Sequence, residues 1–186
     1  ASPESGYGSW RYCSGYNYDD DFIEGFAQTH LNGTGVPDLG DILLLPFTGT
    51  PAEYKSKYNK STHQSTAGYY SVNLTDFDID VELTATEHTA FHKYSYKQAG
   101  EKLLYVDLQR GLVDPKEYVK ERVLNADIQL TDEHTITGSQ EVKAWVQRQY
   151  HYVIKFNKPY TVKEELSGTK EEKAKRYVLS FDLKKD

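Results

Sequence analysis

Absences narrow this 186-residue sequence before its motifs do. With a single cysteine, Cys13, it forms no internal disulfide and no cysteine-based metal cluster, and one thiol leaves the redox compartment open. No apolar stretch approaches the roughly 20 residues that a membrane-spanning helix needs, and no basic-then-apolar signal segment opens the chain. Basic residues do not predominate. The 22 Lys and Arg against 28 Asp and Glu leave a formal charge of -6, which argues against nucleic acid or an anionic membrane as partner. There is no methionine, not even an initiator, so the chain reads as a processed or excised piece. Catalytic signatures are equally scarce: neither a G-x-S-x-G elbow nor an H-E-x-x-H helix occurs. His88 and His92 would share a strand face as a metal pair, without an evident third ligand.

What is present is organised around Thr29 to Pro46, a polar, glycine-hinged turn placed directly before an apolar run from Ile42 to Leu45. Gly33, Gly35 and Gly40 allow the left-handed backbone region, and Pro37 fixes a corner. The run Ile-Leu-Leu-Leu is short, bounded by turn residues and stopped by Pro46, so it predicts a buried strand that aims a polar loop. Upstream, Ala1 to Gly8 is rich in Ser, Gly and Pro and reads as loop. Trp10 to Tyr18 then forms an aromatic cluster followed by Asp19, Asp20 and Asp21. Aromatic faces stack on sugar rings while Asp, Asn and Tyr groups take hydroxyls, so a sugar site here competes with a tyrosine-rich strand edge beside a solvated loop. The acidic triplet lacks the alternating spacing and closing Glu of a calcium loop.

Beyond Gly68 the alternation of apolar and polar residues is sustained, through Tyr70, Val72 and Leu74, then Ile79, Val81 and Leu83, and on to Tyr177 to Leu183. Roughly ten or more strands with hairpin-sized connections predict an all-β fold, an antiparallel β-sandwich of two packed sheets with little helix. Lys163 to Lys175, the one helical candidate, is charged and broken by Ser167-Gly168, and reads as an exposed hairpin excursion. Asp38 and Asp41 supply a carboxylate pair, but glycoside hydrolysis needs carboxyls on opposite sides of a sugar ring, which neighbours on one tight turn rarely satisfy. A complete catalytic set is therefore not expected.

Several motifs in fixed order carry a resemblance: Cys13-Ser14-Gly15-Tyr16, Gly25-Phe26, Thr29-His30-Leu31, Gly33-Thr34-Gly35 with Asp38, and Gly40-Asp41-Ile42-Leu43-Leu44 through Pro46. Gly68 to Val72, Glu82 to Glu87, Phe91-His92, Asp107-Leu108, Ser139 and Lys143-Ala144-Trp145 continue it over nearly the whole chain. Together they resemble the N-terminal domain of the glycoside hydrolase family 92 exo-α-mannosidases. Val36, Leu39 and Leu45 stand where members often carry Cys, Tyr and Met, apolar swaps that bear on fine specificity. The resemblance implies a secreted or cell-envelope, two-domain, inverting, calcium-dependent enzyme that removes terminal mannose from glycans, its sugar held between a β-sandwich and a C-terminal (α/α)6 barrel. Acid, base and calcium ligands would come chiefly from the barrel, so residues 1–186 would be one sandwich domain, without a catalytic residue of its own and with no cofactor expected in it, starting after the family domain's first strand and ending before its last. It would lend a substrate rim: Trp10 as an aromatic wall, with Cys13, Thr29, His30, Gly33, Thr34 and Asp38 close by. The rival expectation is a free-standing sugar-binding β-sandwich without chemistry.

Overall fold

The computed structural model describes residues 2–6, 10–30, 38–112, 122–166 and 172–182. Numbered along the chain, a central six-stranded sheet runs in the order β1 (Ser2–Glu4), β3 (Gly25–Ala27), β4 (Leu43–Phe47), β10 (Lys102–Asp107), β15 (Arg176–Phe181), β14 (Tyr160–Leu166). A four-stranded sheet comprises β6 (Gln64–Thr66), β7 (Tyr69–Leu74), β8 (Ile79–Ala85) and β9 (Ala90–Tyr96). A three-stranded sheet comprises β11 (Val123–Asp132), β12 (Thr135–Lys143) and β13 (Gln147–Lys155). The short pair β2 (Phe22–Ile23) and β5 (Ser56–Lys57) completes the strands, and every pairing is antiparallel. The fold is an antiparallel β-sandwich. Helix among the described residues is limited to the 3-10 turn Trp10–Tyr12.

The sandwich has three layers instead of the two expected, and β4 shows why. All five of its residues are buried, because successive side chains point to opposite faces and both faces are covered. Leu45 and Phe47, with Leu103, Tyr105 and Val178, enter one core against Val72, Leu74, Ile79, Val81 and Leu83 of the four-stranded sheet. Leu44, with Leu104, Val106 and Leu179, enters the other against Val123, Ile136 and Val142 of the three-stranded sheet. The outer sheets are covered on one face only and keep the apolar-polar alternation, as in the buried Tyr70, Val72 and Leu74 of β7.

Two proline positions refine the expected boundaries. Pro46 does not stop β4, which continues to Phe47: it sits opposite Leu104 in the ladder with β10, while on the other flank β3 meets β4 only at Phe26 and Leu44 and leaves Pro46 unpaired on that side. Ser2–Glu4, expected as loop, is a strand with Pro3 in it, tolerated because β1 is the edge of its sheet. Of the charged segment Lys163 to Lys175, residues 163–166 continue β14, which pairs antiparallel with β15, and residues 167–171 lie outside the described residues.

Candidate functional site

The end of the central sheet where β3 leaves and β4 enters gathers the polar residues of the site. Between Asp38 and β4 the backbone takes the left-handed region at Leu39 (φ 69), Gly40 (φ 75) and Ile42 (φ 57). For β-branched Ile42 that conformation costs on the order of 1–3 kcal/mol. Local hydrogen bonds oppose it: Gly40 N–H donates to the Thr29 carbonyl at 3.0 Å and Gln28 N–H to the Asp41 carbonyl at 3.0 Å. A side chain at Gly40 would strike Leu112, whose Cγ would lie 2.7 Å from the added Cβ. The kinked segment turns both of its carboxylates inward.

Asp38, 2% exposed, receives Arg148 Nη1 on its two oxygens at 3.0 and 3.1 Å and the Leu39 N–H at 2.6 Å. Asp41, fully buried, receives Arg148 Nη2 at 3.2 Å, the Thr29 hydroxyl at 2.7 Å, and an ion pair from buried Arg122. Burial alone would raise the Asp41 carboxyl, but the Arg122 and Arg148 charges outweigh it and hold the group below the usual carboxylate range. Arg148 thus clamps two carboxylates of β4's entry to the start of β13 in the three-stranded sheet. Arg122 also donates to the Arg110 carbonyl at 3.1 Å and the Leu39 carbonyl at 3.4 Å, tying in the segment after β10.

A second pair lies beside this knot. Glu4, fully buried, has Oε1 2.8 Å from His30 Nε2. Burial raises the Glu4 carboxyl, opposed by the hydrogen bond and charge of His30 and by the Arg110 charge. Gly15 (φ 80) packs on the same carboxylate, and a Cβ there would overlap it. Ser5 N–H donates to the Gly15 carbonyl at 2.7 Å. The turn inside the aromatic cluster, at Gly15, and the segment after β3, at His30, therefore meet across one glutamate.

The rim residues expected from the sequence distribute as follows. Cys13 is half-buried in the turn after Trp10–Tyr12, its thiol free. Thr29 spends its hydroxyl on Asp41, and His30 sits on Glu4. Asp38 is closed off by Arg148, so its carboxylate braces the loop and has no oxygen turned to a ligand. Gly33, Thr34 and the side chain of Trp10 lie outside the described residues. The notional His88–His92 pair does not form: His88 is exposed in the β8–β9 turn, whereas His92 points inward, 3.1 Å from Gln28 Nε2 and 2.6 Å from the Tyr94 hydroxyl. The acidic triplet lines a shallow cavity of about 310 Å³ with Ser5, Tyr12, Phe22, Glu24 and Lys55. There Asp20 accepts from the Ser5 hydroxyl at 2.8 Å and Arg11 at 2.6 Å. Sequence reading missed Glu4, Arg122 and Arg148. Arg148 had left a signal, since it shares the inward parity of Tyr150, Tyr152 and Ile154 on β13.

The arrangement is a three-layer antiparallel sandwich with a polar knot at one end of its middle sheet. The profile described as "Glycosyl hydrolase family 92 N-terminal domain" matches residues 1–185, and the chain belongs to that family. Among solved structures, it is similar to the family GH92 α-mannosidase BT3965 from Bacteroides thetaiotaomicron in complex with mannoimidazole, with a TM-score of 0.81 at 24% identity, over 97% of this chain and 26% of that one. The GH92 family glycosyl hydrolase ccman5 aligns with a TM-score of 0.75 at 21% identity, over 97% of this chain and 26% of that one. The inverting mannosidase BT2199 from Bacteroides thetaiotaomicron VPI-5482 aligns with a TM-score of 0.71 at 18% identity, over 98% and 25%. At these identities the likeness is one of fold, and the chain spans about a quarter of each structure's length. No curated protein matches the chain.

Proposed function

We propose that this chain is the N-terminal β-sandwich of an α-mannosidase-like glycoside hydrolase that removes terminal α-mannose from glycans with inversion at the anomeric carbon. The observation that carries the reading is the family match along residues 1–185. The geometry supports a supporting role in place of a catalytic one. Glycoside hydrolysis needs an acid and a base across a sugar ring, and at the gathered end of the sheet Asp38 and Asp41 are neutralised by Arg148 and Arg122 while Glu4 faces His30. The acid and base then belong to a C-terminal (α/α)6 barrel in the remainder of the protein. Calcium, which the family resemblance implies for the full enzyme, would be held mainly by that barrel too. Residues of this chain bind and orient. Trp10, Cys13, Thr29, His30, Gly33 and Thr34 form the rim, and Asp38 holds its loop in place through Arg148.

In the full-length enzyme His30→Ala should raise KM for an α-mannoside by about tenfold while kcat changes far less, the pattern of lost uniform binding. The isolated chain should release no mannose from 4-nitrophenyl α-mannoside with or without calcium. Turnover by the purified chain that disappears in Asp38→Asn would overturn the reading.

A further inference from the structure

The outward face of the four-stranded sheet lies on the opposite side of the central sheet from Arg148 and takes no part in the site above. Strand register sets its side chains in cross-strand rows. One row is Thr66, Tyr69, Thr84 and Phe91, and the next is Gln64, Ser71, Glu82 and Lys93. Asn73, Asp80 and Ser95 form a third. Phe91 is 65% exposed and Tyr69 38%, on a face otherwise made of hydroxyl, amide and charged groups. The Tyr69 hydroxyl donates to Glu82 Oε1 at 2.9 Å, a diagonal neighbour, and that bond holds the partly exposed ring over the sheet. Thr84 between the two aromatics is short, and its hydroxyl is turned away to the Gly68 carbonyl at 2.7 Å. With strands about 4.8 Å apart, the two rings stand on backbone positions roughly 9.5 Å apart across a low step.

The charges on this face cancel locally and are fixed. Lys93 pairs with Glu82 at 2.6 Å, Lys97 with Asp80 at 2.8 Å, and Asn73 Nδ2 donates to Asp80 at 2.7 Å. A polyanion or a charged peptide finds no net field here. What fits is a neutral ligand with flat apolar faces and many hydroxyls: aromatic faces take the C–H side of sugar rings, and held carboxylate, ammonium and amide groups exchange hydrogen bonds with the rim of the ring.

We propose that this face is a carbohydrate-binding platform separate from the mannosidase site, holding a neutral glycan of at least two sugars across Tyr69 and Phe91, with Ser71, Glu82 and Lys93 contacting its hydroxyls. It does not rest on the mannosidase reading. The test is affinity electrophoresis of the full chain through gels containing yeast mannan, galactomannan or mixed-linkage β-glucan, followed by calorimetry with the polysaccharide that retards it most. Retardation by at least one is expected, with Tyr69→Ala and Phe91→Ala each weakening binding about tenfold, the double variant abolishing it, and Phe91→Tyr retaining it. Both positions are exposed, and unchanged circular dichroism confirms folding of each variant. Val153→Ser, on the exposed face of the other outer sheet, should bind as the parent does. Absence of retardation by all three glycans, retention of binding in the folded double variant, or loss of binding in Val153→Ser would overturn the proposal. So would concentration-dependent self-association that Phe91→Ala removes, because the face would then be occupied by a second copy.

Discussion

The two faces of the central sheet are held to their outer layers by different physics. Toward the four-stranded sheet the joint is mainly apolar and aromatic, from Phe26 and Phe47 to Leu74, Ile79 and Leu83, with one polar contact where Gln28 meets His92. Toward the three-stranded sheet a smaller apolar core around Val106, Ile136 and Leu179 is supplemented at one end by the Asp38, Asp41, Arg122 and Arg148 knot. Apolar contacts tolerate exchange among shapes of similar volume. A buried ion pair does not tolerate losing one member, although replacing the whole pair by apolar residues can be neutral. The charged joint therefore specifies where β4 begins and how the loop before it is aimed, and the apolar joint supplies bulk stability.

The sharpest way to break this contrast is Arg122→Ala, which takes from the buried Asp41 carboxylate its buried cation and leaves only Arg148 and the Thr29 hydroxyl on its other oxygen. A loss of about 3–5 kcal/mol is expected in urea unfolding. The paired replacement of Asp41 by Leu and Arg122 by Met should recover much of that loss while changing the loop's function. A cost under about 1 kcal/mol for Arg122→Ala would mean that the knot is an ornament of the fold.

The second prediction separates the faces by pH. Gln28 Nε2 can only donate, so its contact with His92 Nε2 requires a neutral imidazole with the proton on Nδ1 toward the Tyr94 hydroxyl. Burial pushes the His92 imidazole from 6.5 down to about 4. Its contribution to stability is complete above pH 6.5 and is lost as pH falls through that range to about 4, amounting to at most about 3 kcal/mol. The Asp41 carboxyl lies below its usual value of 3.8, so the stability it contributes survives that range and is lost only at lower pH. Acid should thus loosen the four-stranded layer before the charged joint. Urea midpoints measured from pH 7 to 4 should fall in the parent and stay nearly level in His92→Gln. Equal slopes in the two proteins would reject the assignment.

Much of this fold was legible. The run Ile42 to Leu45 is apolar on both parities, the mark of a strand covered on both faces, whereas the period-two pattern from Tyr70 to Leu83 marks strands covered on one. Layer number was not legible, because alternation tells which parity is buried and not which sheet covers it. The rim segments could be found from their own glycines and aromatics. Their anchors could not, since Arg122 and Arg148 reach Asp41 and Asp38 from 81 and 110 positions away in sequence. Glu4 was hidden in a segment whose Ser, Gly and Pro content reads as loop, and only pairing of β1 with β3 makes it core.

The smallest effect tests whether the central sheet insulates its two faces. Ile79 and Ile136 are both fully buried, one in each core, on strands of the two outer layers. Ile→Val at either site removes one methylene from a closed environment and should cost about 0.5–1.5 kcal/mol. Stacked sheets lie about 10 Å apart, so the two sites, separated by a whole layer, are on the order of 20 Å from each other. At that separation, without shared partners, the double variant should equal the two single changes added together to within about 0.5 kcal/mol. A larger departure would show that the side chains of β4 and β10, which alternate between the two cores, shift as a unit when either is loosened. The loop aimed by the entry to β4 would then respond to packing on the remote face, and a glycan bound across Tyr69 and Phe91 would have a mechanical route to the rim.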